Sequence, residues 1–114
     1  MNNSDNTIFL RHILDSIEKI EDYLQNFDYE KFQNDSKTVD AVVRNVEIIG
    51  EAAGNLTRDF RSNTTSVEWR KIIATRNRII HGYATVDLEI IWNITQNDLG
   101  NLRTEIKKIL ENLS

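Results

Sequence analysis

The 114-residue chain has the length of a single domain, with room for one hydrophobic core. Its 39% hydrophobic and 28% charged residues are typical of a globular protein and exclude a disordered chain. The absence of proline and cysteine and the presence of only 4 glycines exclude a hairpin-rich all-β protein and a disulfide-stabilised one. No apolar run approaches the roughly 20 residues of a membrane helix. We therefore expect one helical domain over residues 1–114, in the cytoplasm and away from membranes.

The net charge of −4 is unevenly distributed along the chain. Residues 1–51 are acidic, whereas residues 52–83 hold 6 basic and 2 acidic residues. Four basic residues and no acidic one lie between Trp69 and Tyr83, and they are Arg70, Lys71, Arg76 and Arg78. A polyanion would bind this segment, although a solvated basic helix face explains the charge equally well.

The first half of the chain predicts three helices. Apolar residues from Leu10 to Phe27 alternate steps of three and four, as on one stripe of a helix. Residues 29–34 can form a short second helix, capped by Asp28. Ser36 is placed to cap a third helix that reaches residue 61. Gly50 and Gly54 lie one turn apart in the third helix and suggest a helix packed closely against them.

The second half predicts two more helices after a loop at residues 62–64. Thr65 and Glu68 fit a capping box, with Thr65 as the N-cap of a fourth helix that ends at Gly82. Asp87, or Thr85 before it, starts a fifth helix of about 27 residues, some 40 Å long. Long helices with short connections predict an all-α, up-and-down bundle of four to five helices.

Arg76 interrupts the apolar side of the fourth helix. The other residues on that side are Trp69, Ile72, Ile73, Ile80 and Tyr83. Burying a guanidinium without a partner costs several kcal/mol. Arg76 therefore needs a counter-ion such as Glu47 or Glu51, an edge of solvent, or an anionic ligand.

A second face of the same helix is polar. Arg70, Asn77 and His81 lie within about 40° of one another on it. His81 falls in the last turn, where the helix dipole favours the protonated ring and keeps both protonation states accessible near neutral pH. A lone histidine is more often structural than catalytic, and we interpret His12, in the first helix, as structural.

The fourth helix also carries a recognisable motif. Arg76, His81 and Tyr83 match R-x-x-x-x-H-x-Y, with Trp69-Arg70 before it and Val86-Asp87 after it. With this motif the chain resembles the HepT family of HEPN-domain ribonuclease toxins. Residues 47–53 look like the central helix of that family and residues 87–92 like the start of its last helix, so the resemblance covers most of the chain. Val67 stands where relatives often have proline.

The resemblance implies the toxin of a type VII (HEPN/MNT) toxin–antitoxin system. Such a toxin is a metal-independent endoribonuclease, needs no cofactor, and acts as a homodimer whose two R-x-x-x-x-H motifs share one cleft. RNA supplies its own nucleophile, the 2′-OH, so His81 could serve as general acid or base and Arg76 could stabilise the phosphorane. Asn77, Arg70 and Arg78 would support substrate binding.

Arg76 and His81 point in different directions, since five residues on a straight helix rotate by about 140°. A two-fold dimer solves this problem by bringing the arginine of one chain to the histidine of the other. In the family that the chain resembles, the tyrosine at the position of Tyr83 accepts AMP from an MNT-type nucleotidyltransferase antitoxin. Each AMP would add a phosphodiester anion beside the cations that hold RNA.

Two other functions are compatible with the sequence. In the first, the dimer is a non-catalytic antitoxin or substrate-binding subunit of a minimal nucleotidyltransferase, and Arg76 and His81 hold a nucleotide phosphate. In the second, the chain is a helical adaptor whose basic segment is a salt-bridged surface. Growth arrest that disappears with Arg76→Ala or His81→Ala would favour the ribonuclease.

Overall fold

The structure is a computed structural model that describes the backbone of residues 3–82 and 87–113 and the side chains of residues 5–79 and 87–113. This part of the chain is helical and contains no strand. In chain order the helices are α1 (Asn3–Tyr23), α2 (Tyr29–Gln33), α3 (Ser36–Asn55), α4 (Arg58–Asn63), α5 (Trp69–Gly82), α6 (Leu88–Asn93) and α7 (Leu99–Leu113). A π-helical turn, Ile94–Asp98, joins α6 to α7, and we call these three segments together the C-terminal helix. The predicted all-α bundle is confirmed, and none of the described helices is long and apolar enough to cross a lipid bilayer.

Helix α1 packs along α3 and α7 and supplies the centre of the core. The buried residues continue the predicted stripe and include Leu10, Ile13, Ile17 and Ile20. Burying such a side chain stabilises the fold by about 1.5–3 kcal/mol. The regular helix ends at Tyr23, before the stripe does, because Asn26 adopts a φ of 64°. Asparagine tolerates this left-handed conformation, which commonly ends a helix.

The predicted third helix is two helices. Helix α3 ends at Asn55, and Thr57 caps the separate α4 by accepting a hydrogen bond from Phe60 N at 3.1 Å. The buried Asn6 holds this break in place, since its Oδ1 accepts from Thr57 N at 3.0 Å. Asp35 rather than Ser36 caps α3, because its carboxylate accepts from Thr38 N at 3.1 Å.

The predicted capping box at the start of α5 is wrong. Residues 65 and 66 form a turn, and the helix begins only at Trp69, so Thr65 lies too early to cap it. The carbonyl oxygen of Glu68 accepts from Lys71 N and Ile72 N instead. Trp69 anchors this end of α5, because its ring is buried and its indole Nε1 donates to Thr64 O at 3.0 Å.

Helix α5 packs closely against α3 at Gly50. A Cβ added at Gly50 would overlap Arg76 Cβ and would lie 2.8 Å from Arg76 Cγ. The predicted close approach is therefore confirmed at Gly50. It is wrong at Gly54, which is exposed and has no atom within 4 Å of an added Cβ.

The C-terminal helix is capped by Asp87, whose side chain accepts from Glu89 N at 2.9 Å. Its buried residues include Ile91, Leu99, Leu102 and Ile106. Eight residues of uninterrupted α-helix would leave Leu99 about 80° from Ile91. The π turn between them takes up one extra residue, which returns both side chains to the core. A uniform α-helical period does not place Ile91 and Leu99 on one face, so the pattern of apolar residues alone does not predict that both are buried.

Candidate functional site

Helix α5 carries the residues that the sequence singles out. Arg76 is half-buried, whereas Arg70, Asn77 and Arg78 are exposed. The backbone of His81 belongs to the last turn of α5, but its side chain lies outside the described residues. Tyr83 also lies outside the described residues. The structure therefore describes the arginine side of the predicted site.

The aliphatic part of the Arg76 side chain is tightly packed, whereas its guanidinium forms no ion pair with a described residue. Its Cβ and Cγ lie against Gly50, so the side chain leaves α5 beside α3. Its Nη1 donates to Asn77 Oδ1 at 3.2 Å, and its Nε is buried without a hydrogen-bond partner. Asn77 is neutral, so among the described residues the positive charge of the guanidinium is uncompensated.

Arg76 forms no ion pair with a described carboxylate. The expectation that Glu47 or Glu51 is its counter-ion is therefore wrong for the described residues. Glu47 forms an ion pair with Arg44 instead, at 3.6 Å. Glu51 is exposed and makes no ion pair within the described part of the chain. An unpaired, partly buried guanidinium is well suited to bind an anion, because it loses less hydration on binding than an exposed one.

The other basic residues of α5 are also free of counter-ions. No described carboxylate lies within ion-pair distance of Arg70, Lys71 or Arg78, all of which are exposed. Elsewhere, by contrast, ion pairs join Lys19 to Asp15, Arg44 to Glu47, Arg103 to Glu21 and Lys108 to Glu105. A salt-bridged surface, the basis of the adaptor hypothesis, is not present on the described part of α5.

A groove of about 660 Å³ runs beside the outer face of α5. Lys71, Thr75 and Arg78 line one wall, and the C-terminal helix forms the other. The apolar residues that line the groove as a whole include Val46, Ile49, Val67, Ile72, Ile90, Ile94, Leu99 and Leu102. Sequence analysis did not identify this groove, because its opposite walls come from segments that only the fold brings together.

The opposite wall carries three asparagines, Asn93, Asn97 and Asn101. Their spacing of four residues was a usable sequence signal for a shared helix face. No three histidine, aspartate or glutamate side chains converge as metal ligands in the described residues. The polar groups that line the groove are cations, amides, hydroxyls and the carboxylates of Glu68, Asp98 and Glu105.

Comparison with known proteins identifies the family. The sequence model of a family described as ribonuclease HepT-like matches residues 13–109, which include all of α3 and α5. The chain belongs to the HepT-like ribonuclease family. Its R-x-x-x-x-H motif lies within the matched range. No solved structure matches the chain at a significant level.

Individual HepT-like relatives align with nearly the whole chain. "Probable ribonuclease HepT" of Thermococcus cleftensis is 35% identical over 89% of this chain and 92% of its own length. A "Putative RNase" of Methanocaldococcus jannaschii is 35% identical over 99% of this chain and 93% of its own length. A longer protein of the same organism, named "Gamma-glutamylcyclotransferase and putative RNase", is 39% identical over 96% of this chain. The chain spans about half of that protein, 49% of its length.

Proposed function

We propose that this HepT-like chain is a metal-independent endoribonuclease and the toxin of a type VII toxin–antitoxin system. Membership of a ribonuclease family supports the reaction class. The unpaired charge of Arg76 supports the location of the site on α5, and it is the single observation on which the proposal depends.

The chemistry requires few protein groups. The 2′-OH of RNA attacks the adjacent phosphorus, its proton leaves, and the bond to the 5′-oxygen breaks as that oxygen gains a proton. His81 acts as the general acid or base in these proton transfers. Arg76 stabilises the additional negative charge of the phosphorane, while Asn77, which accepts from Arg76 Nη1, orients the guanidinium.

The active form is a homodimer. Arg76 emerges beside α3, whereas His81 is displaced from it by about 140° around α5. A two-fold axis near the end of α5 allows the arginine of one protomer to act with the histidine of its partner. The two motifs then meet in one cleft, which contains two such pairs of Arg76 and His81.

Cleavage assays with purified variants test the proposal. Arg76→Ala and His81→Ala should each lower the rate of RNA cleavage by at least about 100-fold, because each removes a group that acts in the transition state. Arg44→Ala, which removes an exposed arginine on α3 paired with Glu47, is the matched control and should cleave like the wild type. Circular dichroism shows whether each variant is folded.

Unchanged cleavage in both site variants would refute the catalytic assignment. A wild-type chain that binds nucleotides through Arg76 but cleaves no RNA would favour the other function, a non-catalytic subunit of a nucleotidyltransferase. The assay should contain a chelator, because cleavage that requires an added divalent ion contradicts the metal-independent mechanism.

Tyr83 is the proposed regulatory residue, as the acceptor of AMP from an MNT-type nucleotidyltransferase antitoxin. AMP on Tyr83 would place an anion within a few residues of His81 and compete with RNA for the cations of α5. Intact-mass spectrometry after incubation with the antitoxin and ATP should show added AMP. The addition should disappear in Tyr83→Phe and persist in Tyr23→Phe, a control at an exposed tyrosine of α1. AMP on the Tyr83→Phe variant would place the acceptor elsewhere.

A further inference from the structure

The groove beside α5 is lined by both polar and apolar side chains. Its lining includes Lys71 and Arg78 of α5 and Asn93 and Asn97 of the C-terminal helix, and we call these four residues the rim groups. Its volume of about 660 Å³ lies within the range of sites that bind small organic molecules or parts of larger ones.

These rim groups have no partners in the described part of the chain. Lys71 and Arg78 form no ion pair, and the side-chain amides of Asn93 and Asn97 form no hydrogen bond with a described residue. The neighbouring Gln96, in contrast, donates to Thr95 Oγ1 at 3.3 Å and does not line the groove. The groove thus holds two cations and two amides that are free of described partners, together with apolar side chains and the carboxylates of Glu68, Asp98 and Glu105.

The two ends of the groove differ in charge. Five peptide units connect Gly82 to Asp87 and can span about 18 Å at most, so the end of α5 lies near the start of the C-terminal helix. Arg78 consequently shares one end with Ile90 and Asn93. Three acidic residues also line the groove. Glu68, which precedes α5, and Glu105 of α7, which pairs with Lys108, lie towards the other end, whereas Asp98 follows Asn97 at the end of the π turn.

We propose that the Arg78 end of this groove binds one nucleotide of the RNA substrate, next to the phosphodiester that is cleaved. Arg78 holds the phosphate of that nucleotide, and the base packs on Ile90 and Ile94. Asn93 and Asn97 read the edge of the base. This inference rests on the proposed function and adds a specificity site to it.

An RNA nucleotide fits the groove better than a protein segment does. Ile90 is 44% exposed and offers a surface for the face of a base, which is apolar in character. An apolar helix laid in the groove would bury the free amides and cations without hydrogen bonds, which costs about 1–3 kcal/mol for each group. A nucleotide instead offers an anion to the arginine and donors and acceptors to the asparagines.

The amides also predict which base is preferred. A carboxamide presents a donor and an acceptor side by side, and this pattern matches the N6 and N7 edge of adenine. A good paired contact of this kind discriminates between bases by about ten-fold or more. We therefore expect adenine at the nucleotide bound in the groove.

Binding of cleavage-resistant RNA tests the inference independently of catalysis. The probes are four fluorescent, fully 2′-O-methylated oligonucleotides, each with a single type of base, and the measurement is fluorescence anisotropy. The wild-type protein should bind the adenine oligonucleotide about ten-fold more tightly than the others. Asn93→Ala combined with Asn97→Ala should reduce this preference to about two-fold or less, whereas Gln96→Ala should preserve it.

Several outcomes would overturn the inference: no base preference in the wild type, a preference unchanged in the double variant, or an equal loss of affinity for all four probes. A change of oligomeric state in the double variant, measured by light scattering, would instead assign the groove to a protein interface. A wild type that shows the predicted preference but never cleaves natural RNA refutes only the proposed ribonuclease function.

Discussion

At the scale of single residues, Gly50 determines how Arg76 is placed. The missing side chain lets α5 approach α3 until the stem of Arg76 fills the space. The guanidinium then lies at the edge of the core with its Nε buried and unpaired. This position is unfavourable for stability, since a buried donor without a partner costs about 1–3 kcal/mol. It is favourable for binding an anion, which would supply the missing partner.

Replacing Gly50 tests this packing. We expect Gly50→Ala to lower the free energy of unfolding by about 1–3 kcal/mol, because the new methyl group overlaps Arg76 Cβ and forces the helices apart. Gly54→Ala, in the same helix, is the control. It meets no neighbouring atom and should leave the free energy unchanged or raise it by up to about 1 kcal/mol. Urea denaturation followed by circular dichroism measures both, and equal effects at the two sites would contradict the packing argument.

At the scale of the elements, the C-terminal helix shows why one extra residue matters. Trp92 is half-buried and its ring lies 5.4 Å from that of Phe32 and 6.2 Å from that of Tyr29, which docks α2 against this helix. Leu99 and Ile106 pack in the core further along. The π turn lies between these two groups of buried residues, and its extra residue lets both face the core.

Deleting an exposed residue from the π turn should therefore be tolerated. Without Gln96, the turn can become α-helical, and Ile91 and Leu99 remain on one face because their spacing falls to seven residues. We expect the free energy of unfolding to change by no more than about 1 kcal/mol.

The control deletion removes Glu18, an exposed residue of α1, which has no π turn. It rotates Ile20 by about 100° relative to Ile17 and should destabilise the fold by several kcal/mol. Thermal and urea denaturation measure both deletions. A Gln96 deletion as damaging as the Glu18 deletion would show that the π turn does not act as a one-residue insertion.

At the scale of the whole molecule, a composite site predicts complementation. If each site combines Arg76 of one protomer with His81 of its partner, a dimer of one Arg76→Ala chain and one His81→Ala chain keeps one intact pair. Random mixing makes half of the dimers mixed, each with one of two sites intact. We expect about a quarter of the wild-type cleavage rate from the mixture, although each variant alone is inactive.

The complementation assay requires that protomers exchange between dimers. Brief dilution followed by concentration allows this exchange, and mass spectrometry of the intact dimers shows whether mixed dimers have formed. The control mixture contains two samples of the Arg76→Ala chain and should remain inactive. Mixed dimers without cleavage would contradict a site shared between protomers.

The amino-acid sequence by itself determined the helical class, the basic segment and the R-x-x-x-x-H motif, because these depend on local periodicity, local charge and residue spacing. It also located the caps at Asp28 and Asp87, whose side chains bond to backbone within three residues. It failed where distant residues compete with local preference. The break between α3 and α4 depends on Asn6, which is 51 residues from Thr57 in the chain.

Only the tertiary structure decided the surroundings of the candidate site. Glu47 and Glu51 were as plausible partners for Arg76 as solvent, and only the packing of α5 against α3 shows that neither pairs with it among the described residues, since Glu47 pairs with Arg44 within α3. The groove required α5 and the C-terminal helix to lie across from each other, and no local pattern specifies that separation. The physical reason is that the surroundings of Arg76 and the shape of the groove depend on distances between helices, which packing of the core sets.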